Sequence, residues 1–224
     1  MMKKEIMALC ISLISLSLPA LAGTIQGRVL FQGKIGTPEK IRKSSDPFCA
    51  SSGAPLFDEK ILIDHDGLKN AFIYVKNVTA TPPTKSTPTI LDQKDCVYLP
   101  RVIGIQVGQP LVISNSDSTF HNVHSNTFNL GMPVQNMKIT KTFPKPELGI
   151  RLKCDLHPWM IAWVHVVNNP YFAVSSNYGK YDIVDVPSGD YKIGLWHETL
   201  GEQEARVTVP STGIVNLDFK AISK

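Results

Sequence analysis

In the stretch "RLKCDLHPWM", Cys154, His157 and Met160 follow one another at intervals of three residues. They supply a thiol, an imidazole and a thioether. Upstream, in "LVISNSDSTFHNVHS", an apolar run ends in a polar turn and is followed by a second imidazole, His121. Two imidazoles and one thiolate around a metal, with a weak axial thioether, form the ligand field of a blue-copper electron-transfer centre. Each donor has a reason. Thiolate is soft and serves both oxidation states of copper, imidazole suits Cu(II) and tolerates Cu(I), and the axial thioether tunes the potential. A closed tetrahedral zinc site does not call for the thioether. A buried core accepts Cys and Met without metal, but it does not ask for a His beside Pro158.

These donors need elements to hold them, and the chain reads as strands. Short β-branched and aromatic runs recur: "TIQGRVLF", "AFIYVKNV", "CVYLPRVIGIQV", "PLVISNS", "IRLKC", "IAWVHVV", "KYDIVDV", "YKIGLWH", "EARVTV". Turn signals such as "HDG", "VGQP", "NYGK" and "VPSGD" separate them. Evenly punctuated short strands predict an all-β protein built of β-sandwiches. The run "TATPPTKSTPT" has no periodicity and marks a candidate boundary.

Composition bounds the rest. The 224 residues are 43% hydrophobic and 19% charged, enough for one large or two small domains. A net charge of +4 is too mild to imply nucleic acid as a partner. "MMKKEIMALCISLISLSLPALAG" has a basic start, an apolar stretch and an A-x-A close, so residues 1–22 read as a signal peptide cleaved after Ala22. No later run is long and apolar enough for a membrane span. The expected location is periplasmic or extracellular. Cys10 leaves with the signal, and three cysteines remain. In an oxidising compartment that leaves one pair and one thiol. Cys49 and Cys96 are the expected disulfide, because Cys154 is occupied as a donor; two buried free thiols are the alternative.

From residue 86 to 168 the chain resembles the cupredoxins, most closely the amicyanin and plastocyanin-like group. The resemblance rests on the short Cys-x-x-His-Pro-aromatic-Met loop, on "HNVHS", and on "PRVIGIQVGQPLVISNSDS" leading to it. It implies a Greek-key β-sandwich holding one type 1 copper, with His121, Cys154, His157 and Met160 as ligands. It further implies that Asn122 ties the two ligand loops together and points its backbone N–H at the cysteine sulfur. His157 would be the exposed edge for electron transfer, flanked by Pro158 and Trp159, with Gly131, Met132 and Pro133 adding apolar surface. Partners would be redox proteins (a dehydrogenase, an oxidase or a cytochrome) in transient docking. His124 would be a neighbour rather than a ligand.

The C-terminal part, "YFAVSSNYGKYDIVDVPSGDYKIGLWHETLGEQEARVTV", resembles the carboxypeptidase regulatory-like (transthyretin-like) β-sandwich. That module's early strands match "GRVLFQG" and "GLKNAFIYVKN" far upstream. Residues 23–80 and 169–224 would then form one sandwich, with the copper domain inserted; two sandwiches in tandem is the plainer alternative. Some chains with this pairing are labelled methylamine-utilisation proteins, a label that does not establish methylamine as a substrate here. Asp182, Asp185, His197 and Glu198 lack a nucleophile or paired ligand set and are read as structural, as are His65 and His165. The expected function is one-electron carriage rather than catalysis. A copper-binding chaperone or sensor, or a non-redox surface-binding module, is the alternative.

Overall fold

The strand Ala22–Gln32 turns Gly23, Ile25, Gly27 and Val29 inward and leaves Gln26 exposed, the period-2 pattern of a sheet packed on one face. It is the spine of one sheet. Lys180–Pro187 pairs with it antiparallel, Ile214–Asn216 and Phe219–Ile222 pair with it parallel, and Gly67–Leu68 joins its far end. A second sheet runs Phe172–Val174, Phe72–Val75, Gly189–His197, Gly201–Val209. Ile25, Val29, Leu68, Ile73, Ile183, Ile193 and Phe219 fill the space between the two. These facts come from a computed structural model, which describes residues 21–43, 46–78 and 84–223. All but the last two residues of the expected signal peptide lie outside the described residues.

The chain is all-β. Among the described residues the helical elements are the short helix Pro47–Ser51 and a 3₁₀ turn at Asn177–Gly179. The middle of the chain makes its own pair of sheets. One runs Lys138–Lys141, Leu111–Asn115, Thr89–Lys94, Val97–Leu99; the other runs Asn129–Met132, His121–His124, Glu147–Lys153, Ile161–Val167, Val102–Gln106. Leu91, Ile105, Leu111, Ile113, Val123, Leu152 and Val164 form the core between them.

The early strands of Val29 and Phe72 therefore pair with the C-terminal strands, not with the middle ones. The chain leaves the terminal sheets after Val75 and re-enters them at Phe172. The two strands at that passage are direct neighbours, with Phe172 opposite Tyr74. A third apolar cluster joins the two halves: Phe72, Tyr74, Val102 and Val167, with Trp163, Phe172 and Trp196 against them. Gly104 makes this approach possible, because a Cβ there would lie 2.5 Å from the rings of both Phe72 and Phe172. A largely shielded ion pair adds to the joint. Arg101 donates to both carboxylate oxygens of Glu198 (2.6 and 2.9 Å), and Trp163 Nε1 donates to Glu198 as well (3.0 Å).

One segment departs from the expected division at residue 80. Residues 46–52, assigned from sequence to the terminal sandwich, pack on the middle one. Cys49 is fully buried in the middle core, and Phe48 lies against it. The helix Pro47–Ser51 forms there because Asp46 accepts the Cys49 N–H as its N-cap (3.1 Å) and Pro47 supplies the first turn.

Candidate metal centre

His121 opens the strand His121–His124, and the turn before it is fixed by side chains. Asn115 accepts the Asp117 N–H (3.0 Å) and donates to the carbonyls of Thr119 (3.0 Å) and Met132 (2.9 Å). Asx side chains form such turns readily. Asp117 then faces three donors: His121 Nε2 at 2.9 Å, and the N–H groups of Asp95 and Cys96 at 2.8 Å each. Burial alone would raise the Asp117 carboxyl, but these donors outweigh it and hold it below its ordinary range. Asp95 and Cys96 form the two-residue tip of the hairpin Thr89–Lys94/Val97–Leu99, both with positive φ (56° and 60°), as a tight hairpin turn requires.

Cys154 stands just past the strand Glu147–Lys153. The loop from it folds back on itself, with Met160 N–H donating to the His157 carbonyl (2.9 Å) and Cys154 N–H donating to the Met160 carbonyl (3.2 Å). The first ligand strand is tied to this loop by Asn122. Its side-chain oxygen accepts the Asp155 N–H (2.8 Å), and its amide donates to Asp155 Oδ2 (2.9 Å) and Asn129 Oδ1 (2.7 Å). Tyr98 Oη donates to the Asn122 carbonyl (2.6 Å). The backbone N–H groups of Asn122, Leu156 and His157 lower the Cys154 thiol below its ordinary value.

The result is a convergent, dry donor set. His121 Nδ1 lies 3.0 Å from His157 Nδ1, and Cys154 Sγ lies 3.6 Å from His157 Nδ1. The three donor atoms all fall within 4.8 Å of one another. Their residues are 0%, 2% and 1% exposed, and Met160 is fully buried in the same core cluster as Cys154. Each imidazole turns Nδ1 inward and Nε2 toward a carboxylate: Asp117 for His121, and Asp46 for His157 at 3.5 Å. Carboxylate partners on the outer nitrogen fix the tautomer of metal-binding histidines.

The electrostatics favour a cation at this point. Burial pulls the Cys154 thiol up, yet the His121 hydrogen bond and the three backbone N–H groups draw it below its ordinary value. Burial likewise pulls His121 down, but Asp117 and Cys154 overrule it and push it up to about 9. His157 moves the other way, lowered by burial and by the charge of His121. Thiolate, two oriented imidazoles and a thioether in a water-poor core fit copper by donor chemistry.

Two expected features differ in the structure, the exposed edge at His157 and the apolar surface at Met132, while the expected Cys49–Cys96 disulfide is present. His157 is not an exposed edge; it lies under residues 46–52, with Cys49 Sγ 3.5 Å from its Nε2. Cys49 and Cys96 are joined in a disulfide, and this bond draws the segment over the imidazole. Pro158 is exposed and Trp159 half-buried, its Nε1 donating to the Cys96 carbonyl (2.8 Å). Met132 offers no surface: it is buried, with Gln93 Nε2 at 2.9 Å from its sulfur, although Gly131 and Pro133 beside it are exposed. His124 stands outside the donor set and pairs with Asp155. Asp182 accepts from Gln26, and Glu198 holds Arg101. His197 is buried and accepts the N–H groups of Thr199 and Leu200 (3.3 Å each).

No family model matches the chain, and no curated protein matches it. Among solved structures, a mutant amicyanin in its Cu(I) form is similar at 18% identity over 42% of this chain and 97% of that one, with a TM-score of 0.33. A purple cupredoxin from Nitrosopumilus maritimus is similar at 26% identity, covering 31% of this chain and 81% of that one, with a TM-score of 0.30. A copper-containing nitrite reductase from Thermus scotoductus SA-01 is similar at 20% identity over 41% of this chain (TM-score 0.33), and the match spans a quarter of that chain's length (25%).

Proposed function

We propose that the chain is an exported type 1 copper protein that carries single electrons, with His121, Cys154, His157 and Met160 as ligands. The observation that carries this reading is the meeting of two inward Nδ1 atoms and the Cys154 sulfur in one buried spot, 3.0 and 3.6 Å apart. Copper bound there would supply a one-electron couple between Cu(II) and Cu(I). The protein's own part is to hold the donors still. Asp117 and Asp46 fix the two rings, and Asn122 locks the two ligand loops together. The N–H groups of Asn122, Leu156 and His157 carry the sulfur's negative charge. Exclusion of water keeps this arrangement unchanged by solvent.

The burial of all four donors speaks against a chaperone that must exchange its metal readily. The middle sandwich, inserted between residues 75 and 172, is read as the cupredoxin unit. The terminal sheets are read as a regulatory-like sandwich that hosts it and takes no part in the redox step. The disulfide suits an oxidising compartment such as the periplasm. Redox proteins would dock transiently, reaching the centre past Pro158 and Trp159, whose ring lies 5.3 Å from that of His157.

Titrating the signal-cleaved protein with Cu(II) tests this. An intense orange-red absorption band at one copper per chain, bleached by ascorbate, is expected. Cys154→Ser should abolish the band and leave the circular dichroism unchanged. A colourless protein that binds copper only weakly would overturn the reading.

A further inference from the structure

The cover over His157 has an unusual construction. Its residues reach the metal centre from the far end of the chain: Cys49 and His157 are 108 positions apart. Four contacts anchor it to the middle sandwich. Cys49 is bonded to Cys96 at the hairpin tip, Thr119 Oγ1 donates to Asp46 Oδ2 (2.7 Å), Lys43 Nζ donates to the Asp95 carbonyl (3.3 Å), and Phe48 packs against the core. Only the first is covalent; the two polar ties lie near the surface, and Phe48 is only half-buried. Behind the cover the donors are shut in by strands and core. The Nε2 side of His157 is closed by Cys49 and Asp46, which both belong to the cover.

The geometry points to the Cys49–Cys96 disulfide as a lock on the metal centre, closed after the metal has entered. This rests on the copper reading above and adds an order of assembly to it. While Cys49 and Cys96 are thiols, the cover is held only by these polar contacts and by the half-buried Phe48 ring, with no covalent tie, and can swing away from His157. Closure takes two electrons and two protons from the thiols and gives them to a protein disulfide, which leaves as a dithiol. Both sulfurs are then fully buried, beyond easy reach of a reducing thiol. The lock is therefore a one-time closure rather than a reversible switch. It explains why a disulfide is placed against a metal ligand instead of elsewhere in the core.

The test reads access to the centre with and without metal. Metal-free protein is treated with iodoacetamide, and alkylation at Cys154 is followed by mass spectrometry, beside the double variant Cys49→Ala/Cys96→Ala. Cys154 should react at least tenfold faster in the double variant while circular dichroism shows the same fold. Equal rates in the two folded proteins would overturn the lock. Separately, metal-free wild type with its disulfide closed should take up Cu(II) over minutes or longer. Uptake complete on mixing would overturn the lock whether or not the double variant folds. Alkylation needs no metal, so a chain that binds no copper would defeat the functional reading by its spectrum, while Cys154 labelling would still report on the cover.

Discussion

Asn122 and Asp155 hold each other reciprocally: the side-chain oxygen of Asn122 accepts the Asp155 N–H at 2.8 Å, and its amide donates to Asp155 Oδ2 at 2.9 Å. Each is the residue directly after a proposed ligand, His121 and Cys154, so the pair sets the distance between two donors that come from different strands. Asn122→Ala should lower stability by about 2–3 kcal/mol, because a buried side chain loses three modest hydrogen bonds, two to Asp155 and one to Asn129. It should also shift the copper band, because the sulfur and the imidazole lose their common brace. Urea unfolding of the metal-free protein checks the first effect and the visible spectrum the second. An unchanged spectrum would mean that the strands alone fix the donors.

Met160 is fully buried beside Cys154. Met160→Leu keeps similar volume, so its cost to the fold should stay below about 1.5 kcal/mol. On the copper reading it removes the axial donor that favours Cu(II). The band should persist and the reduction potential should rise. Cyclic voltammetry of both proteins decides it, and an unchanged potential would remove Met160 from the ligand set.

How much of this was legible in the sequence depends on the range of the interaction. The order His121, Cys154, His157, Met160 is local enough to read, because one short loop carries three donors and one strand the fourth. Alternation in "TIQGRVLF" likewise predicts the inward Ile25 and Val29. Asp117 lay within sight, four residues before His121 in a polar turn, but nothing in the letters says that the turn bends its carboxylate back onto Nε2. Asp46 and Cys49 were out of reach, since their contact with His157 depends on where a distant segment lands after folding. Met132 was misjudged for a similar reason: its neighbours Gly131 and Pro133 are exposed, and strand alternation turns only Met132 inward.

The joint between the two halves offers a third expectation. Glu198 is almost buried and accepts from Arg101 and from Trp163. Glu198→Ala would leave the part-buried Arg101 guanidinium without its bidentate partner, a loss of about 2–3 kcal/mol for charge-assisted hydrogen bonds. Thermal melting should show the loss, and the copper spectrum should stay as it was, because the joint does not touch the donors. A loss below about 1 kcal/mol would show that water reaches Arg101.

Acid should weaken the same joint. His165 is stacked on Phe72 (ring centroids 4.2 Å apart) and is held neutral by burial, which pushes it down to about 3 from 6.5. His197 is lowered to about 4, again chiefly by burial. Below pH 6.5 the unfolded chain binds protons that the folded one refuses. Their contribution is therefore present above pH 6.5 and is lost as pH falls toward 3–4, at up to about 1.4 kcal/mol per pH unit for each group. His165→Phe retains a ring on Phe72 and removes one of the two. Urea unfolding between pH 4.5 and 7 should be shallower in the variant by about that slope. The cost at pH 7 should be about 1 kcal/mol, because the Gly149 N–H loses its Nδ1 acceptor (3.2 Å).

The pairing of the first long strand with the last ones also sets a timetable for biogenesis. Arg28 N–H bonds Asp218, 190 residues later, so the terminal sheets cannot close until nearly the whole polypeptide has been synthesised. The middle sheets draw on nearby segments and are free to form earlier, as short-range topologies do. A truncated chain ending near residue 200 would therefore present a finished centre on an unfinished base, with the strand Ala22–Gln32 lacking two of its partners and open to strand-to-strand aggregation.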